Sequence, residues 1–310
     1  MTQRRDRRPI RFTVLGPVRA WHGDHEVDLG APQARALIAL LLAHGGQTVS
    51  VAQLVDTLWG EDPPATAVNA IHRNVGLLRR TLEPELPARH IGGWLIRSSG
   101  GYRLDVGGDS LDLLRFRALV GQARAAGGRV AVARYREALR LWAGAGGEGL
   151  DPRVRGDAVF TRLGQELSTV ARDAADAALA AGGASELADV VEQAAGRAPF
   201  DEPLHGRLIR LLAAAGQQAR ALQTYQTLRR RLADELGISP GPEVDAARDA
   251  VLRPRDRDPE VGATLAPVLR PQNLRPEIAA TTGAVRRAPG RARNLRSARL
   301  MSYPSKICRF

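Results

Sequence analysis

The chain has 310 residues, 44% hydrophobic, 25% charged and 4% aromatic, with a formal charge of +12, which is enough chain for two domains at the usual ~150 residues each. Its longest apolar run, residues 36–43, is far short of the ~18 residues of a membrane span, and the arginines at 4, 5, 7 and 8 lead into no apolar stretch of a secretory signal. The single cysteine, Cys308, excludes a disulfide framework and a cysteine-rich zinc site, so the reading is a cytoplasmic chain without a membrane partner.

From Ile10 to Val106 strand and helix signals mix. Phe12, Val14, Val18, Val27 and Leu29 alternate with polar residues and are broken by Gly16-Pro17 and Gly23-Asp24, which predicts two or three short strands joined by tight turns. Ala31-Pro32 opens a helix, with proline suited to its first turn; its buried side is Leu37, Ile38, Leu41 and Leu42, and it stops at Gly45-Gly46. Val49-Ser50 gives a short extended piece and an N-cap for a second helix, Val51 to Trp59. Gly60 to Pro64 is a turn, and a third, longer helix comes next, from about Thr66 to Leu82. Two alternating runs, Trp94 to Arg97 and Tyr102 to Val106, flank a Gly-Gly turn and read as a β-hairpin.

Two helices joined by a turn and followed by a hairpin is the order of a winged helix-turn-helix. In the third helix Val68, Ile71, Val75, Leu78 and Leu82 form one stripe, which predicts that they are buried. The opposite face carries Asn69, Arg73, Gly76, Leu77 and Arg80, with His72 and Arg79 on one flank. Arginine pairs with guanine edges or phosphate and asparagine with adenine, so this face suits a major-groove reader. An ordinary solvated face would have the same composition, and both readings stay open on this helix alone.

Gly107-Gly108-Asp109 marks a boundary. From Leu111 to about Val251 the signal is helical, with turns at Gly127-Gly128, residues 143–157, Gly182-Gly183, residues 196–200 and Gly216. Tyr135 and Tyr225 sit in similar aliphatic stripes, and helix pairs of this length build tetratricopeptide-like arrays with a ~34-residue period, which bind proteins or peptides. The expected organisation is a winged helix at 10–106, an all-α repeat domain at 109–252 and a disordered basic tail at 253–310. Residues 1–107 carry 13 arginines against 10 acids, residues 108–252 carry 19 of each, and residues 253–310 carry 12 arginines and one lysine against 4 acids. Most of the basic character therefore belongs to the tail, where prolines and scattered arginines argue for disorder.

Catalytic signatures are scarce. A phosphate-binding loop of the G-x-x-x-x-G-K-[ST] type cannot exist in a chain whose only lysine is Lys306. There is no H-E-x-x-H and no G-x-S-x-G, and His22-Gly23-Asp24-His25 reads as surface polar residues rather than a metal site. The chain is read as a non-enzyme without a cofactor.

Several stretches in order carry a resemblance: residues 12–18, Gln33 to Leu42, Thr48 to Gly60, Pro63 to Ala67, Leu78-Arg-Arg80 and Gly101-Tyr-Arg-Leu-Asp105. Together they resemble the OmpR-type DNA-binding domain of the antibiotic regulatory protein family of actinomycetes, an output domain of the two-component kind. Leu222 to Pro242 is similar to the bacterial transcriptional activator domain that comes after it there. The resemblance implies an activator of secondary-metabolite gene clusters that binds direct repeats in double-stranded DNA and contacts RNA polymerase holoenzyme, with a homodimer on DNA among the expected assemblies. The outward face of the third helix puts Arg73, Arg80 and Asn69 on base edges or phosphate, with His72 and Arg79 at the groove edge, and the hairpin puts Arg97 at the adjacent minor groove. By resemblance, Trp59, Gly60, Glu61 and Asp62 would form the turn offered to polymerase. Where the family usually has a polar-basic pair, this chain has Gly76-Leu77, which removes an expected DNA contact. That departure keeps a rival open, a helical-repeat scaffold whose winged helix no longer binds DNA. Leu274 to Gly283 looks like the lead-in to the family's ATPase module, and residues 284–310 read either as a basic arm or as the remnant of such a module.

Overall fold

A computed structural model describes residues 10–85 and 93–253. The arginines at 4, 5, 7 and 8, the basic tail from 254 onward and the ATPase-like lead-in lie outside the described residues.

The chain opens with a three-stranded antiparallel meander, β1 (Ile10–Thr13), β2 (Arg19–His22) and β3 (His25–Val27). Its turns fall at the two predicted glycine positions, and Phe12 stands opposite Ala20, both on the buried side. Then come α1 (Pro32–Ala43), β4 (Val49–Ser50), α2 (Val51–Trp59), α3 (Ala67–Leu82) and the hairpin β5 (Leu95–Ser98) and β6 (Gly101–Leu104). The order in the second sheet is β4-β6-β5. Ser50 caps α2 as expected, its hydroxyl accepting from the Gln53 amide at 3.1 Å. β6 pairs with β4 only because residue 101 is glycine: a Cβ there would overlap the Val49 carbonyl oxygen.

Two expectations need correction. The spacing in α1 predicts one buried side, yet Ala34 and every residue from Ala36 to Ala43 are buried. The helix packs on α2 and α3 and also on a helix of the second half, α7 (Ala158–Ala181), so it has no solvent face except at its first turn. In α3 the buried set is Ala67, Ala70, Ile71, Val75, Leu78 and Leu82, while Val68 is 45% exposed. The spacing 67-71-75-78-82 satisfies helical periodicity as well as the set that begins at Val68. Packing of α3 against α1 and α2 selects the alanines.

The second half is all helix: α4 (Asp112–Ala126), α5 (Gly128–Leu139), a short α6 (Pro152–Arg155), α7, α8 (Ala184–Arg197), α9 (Glu202–Ala214), α10 (Gln218–Arg231) and α11 (Pro242–Leu252). A single π-helical turn, Leu232–Leu236, closes α10. Successive helices pack pairwise, α4 on α5, α5 on α7, α7 on α8, α8 on α9 and α9 on α10, as stacked helix pairs do. Close approach along α7 is made by Ala171, Ala174, Ala175 and Ala178, all fully buried. Tyr135 and Tyr225 are both buried, and the Tyr225 hydroxyl donates to Asp245 at 2.8 Å.

One hydrophobic core runs through both halves. Across the Gly107-Gly108 boundary the Phe12 amide donates to the Ser110 carbonyl at 2.7 Å, and the Ala143 and Gly147 amides donate to the carbonyls of Leu15 and Val14. The first sheet is thereby held on the helical half by backbone hydrogen bonds as well as by packing. No helix among the described residues is long and apolar enough to cross a membrane.

Candidate nucleic-acid interface

α3 is anchored on its inner side and free on its outer side. Asn69, His72, Arg73 and Arg80 are all exposed on it, and Arg97 is exposed on β5 of the hairpin that packs beside it. The His72 ring meets the Tyr102 ring edge-on, centroids 6.4 Å apart, which ties the flank of α3 to β6. Arg79 belongs to that flank but is turned inward: its Nε donates to the Leu95 carbonyl at 3.0 Å. Its Nη2 is buried without a hydrogen-bond partner among the described residues. Arg79 therefore holds the hairpin against α3, whereas Asn69, His72, Arg73, Arg80 and Arg97 face solvent.

The charges on the two halves are organised differently. Arginines of the helical half are mostly paired: Arg117 with Glu166 at 2.8 Å, Arg124 with Asp173 at 2.7 Å, Arg207 with Asp176 at 2.9 Å and Arg220 with Asp189 and Glu192. Hydrogen bonds to those carboxylates raise the pKa of Arg117, Arg124, Arg207 and Arg220. By contrast Arg73, Arg80 and Arg97 make no ion pair among the described residues. Unneutralised guanidinium groups on one surface attract a polyanion; groups already paired contribute little to that field.

The turn between α2 and α3 is held from behind. Gly60, at φ +72°, ends α2. The Trp59 carbonyl accepts from Arg153 Nη1 of α6 at 2.7 Å, and the Thr57 hydroxyl donates to Asp157 at 2.7 Å. Asp157 also caps α7, accepting from the Val159 amide at 2.8 Å. Trp59 and Gly60 are partly covered, while Glu61 and Asp62 are exposed.

Sequence reasoning missed Asp112, the first residue of α4. Its carboxylate accepts from the amides of Val14, Leu15 and Leu113 at 2.7–3.0 Å and so joins the end of the first sheet to the helical half. Burial raises its pKa from 3.8 to about 6, outweighing the three amides, which favour the ionised form. The only signal was an acidic residue inside the apolar run Leu111-Asp-Leu-Leu114. No group of three or more histidine, cysteine or acidic side chains among the described residues is placed to hold a metal ion.

Two family models match the chain. Residues 24–104 match the family described as "Transcriptional regulatory protein, C terminal", and residues 111–252 match "Bacterial transcriptional activator domain". The chain is similar to the regulatory protein AfsR of Streptomyces griseus, 36% identical over 250 residues, covering 79% of this chain and 24% of AfsR. It thus spans about a quarter of the length of that relative. It is similar over nearly all of a shorter regulator, DnrI of Streptomyces peucetius: 30% identity, covering 79% of this chain and 92% of DnrI. Among solved structures, EmbR of Mycobacterium tuberculosis in complex with a low affinity phosphopeptide aligns with a TM-score of 0.61 and 31% identity, over 80% of this chain and 66% of EmbR.

Proposed function

The chain belongs to the antibiotic regulatory protein family of bacterial transcriptional regulators, and from that premise we propose that it is a sequence-specific DNA-binding activator of a secondary-metabolite gene cluster. α3 enters the major groove of a promoter duplex, with Arg73, Arg80 and Asn69 on base edges or phosphates and His72 at the groove edge. Arg97, at the hairpin, lies over the adjacent minor groove. Arg79 is assigned a positioning role, since its Nε is committed to the Leu95 carbonyl. Direct repeats in the duplex seat copies side by side. The exposed acidic pair Glu61-Asp62, on a turn braced by Arg153 behind Trp59 and Gly60, is the surface offered to RNA polymerase. The helical half presents this assembly to further protein partners.

The observation that carries the reading is the cluster of exposed arginines on α3 and β5, Arg73, Arg80 and Arg97, which make no ion pair among the described residues. Titration of the pure chain with promoter DNA of its own gene neighbourhood, against a random duplex of equal length, tests it. Preference for the promoter, lost by about 1–3 kcal/mol in Arg73→Ala or Arg80→Ala, is expected of a base contact. Equal affinity for both duplexes, unchanged in both variants, would return the chain to the scaffold reading.

A further inference from the structure

α3 carries two residues that the fold itself does not require. Gly76 lies in the helix interior, where glycine is markedly less favourable than alanine. Yet a Cβ at this position would meet nothing nearer than the Arg80 guanidinium, 3.9 Å away. Leu77 is 37% exposed and belongs to none of the buried positions of α3. It stands four residues after Arg73 and three before Arg80, so all three share one face. One side of it is steadied by the turn after β3, where a Cβ on Gly30 would lie 3.5 Å from Leu77 Cδ2. Val68, the other exposed apolar residue of α3, is nine residues earlier and so half a turn around the helix. The two therefore form no common apolar patch for a protein partner.

We propose that Gly76 and Leu77 together form a thymine-reading element. The Leu77 side chain contacts a thymine 5-methyl group in the major groove, and the bare backbone at Gly76 lets the helix approach the base edges closely. The inference rests on the DNA-binding reading above and deepens it. Thymine alone among the four bases presents a methyl group in the major groove. An exposed leucine between two cations gains by covering that methyl and gains nothing against an amino or keto group, so it selects thymine where another arginine would select guanine or hold a phosphate. Glycine is the residue that permits close backbone approach to a ligand, which accounts for a glycine at a site where the protein has room for alanine.

The test begins with selection of duplexes from a random library by the full chain. A selected duplex is then resynthesised with each dT replaced in turn by dU, which removes the methyl and nothing else. The parent should lose about three- to fivefold in affinity at one or two positions, the worth of one buried methyl. Leu77→Ala should bind dT and dU duplexes equally, Leu77→Met should keep the discrimination, and Gly76→Ala should weaken binding to the selected duplex while melting no lower than the parent. Indifference of the parent to every dU, or equal dU sensitivity in Leu77→Ala, overturns the inference and leaves DNA binding standing. A library that never enriches overturns the DNA-binding reading itself, and this inference with it.

Discussion

Asp112 joins the two halves of the molecule through a buried carboxylate, and its removal has a calculable pH signature. Burial lifts its pKa from 3.8 to about 6, so the folded chain holds this proton more tightly than the unfolded chain does. Its contribution to stability is then fully present below pH 3.8 and is lost as pH rises through about 6. A displacement of that size corresponds to about 3 kcal/mol. Asp112→Asn keeps the shape and one acceptor oxygen, at the place of Oδ2, for the amides of Val14 and Leu15 but never ionises. Urea unfolding of parent and variant between pH 4.5 and 7.5 measures the effect as a difference. The difference is needed because other groups slope the opposite way: the Arg115 partner holds Glu137 below the usual carboxylate range, and that contribution is lost as pH falls. The stability of Asp112→Asn relative to parent should rise by about 2 kcal/mol across this interval, which begins above 3.8 and so captures most but not all of the full effect. Any constant offset from reorienting the new amide leaves that slope untouched. A flat difference, or one that falls with pH, would show that the three amides outweigh burial and that Asp112 is ionised throughout.

Gly101→Ala should destabilise the chain by about 3 kcal/mol, because its Cβ overlaps the Val49 carbonyl and must part β4 from β6; an unchanged melting temperature would contradict that pairing. Arg79→Met should lower stability by about 1 kcal/mol through loss of the bond to the Leu95 carbonyl. Its effect on DNA titrations should be smaller than that of Arg73→Ala, and the reverse ranking would make Arg79 a DNA contact. Deleting residues 254–310, which carry most of the excess arginine, should preserve preference for the promoter while making log K less steep against log salt. Loss of all preference on deletion would move recognition away from α3.

The local elements of this protein and their order were legible in the amino-acid sequence. Strand alternation, the Ser50 cap, the Gly-Gly hairpin turn and the 3.6-residue periodicity are interactions among residues close in the chain, so they are written where they act. The outward arginines of α3 were legible for the same reason, since a helix face is a matter of spacing. Which of two equivalent stripes of α3 is buried was not legible, because that depends on the shapes of α1 and α2 against it. Long-range packing also set the covering of α1 by α7, the turn of Arg79 back to Leu95 while Arg73 stays outward, and the ties that Asp112 and Arg153 make between the halves. The hydrogen bonds among these reach partners 16 to 98 residues away in the chain. A side chain's partner is chosen by which backbone the fold brings within 3 Å, and spacing along the sequence carries no record of that.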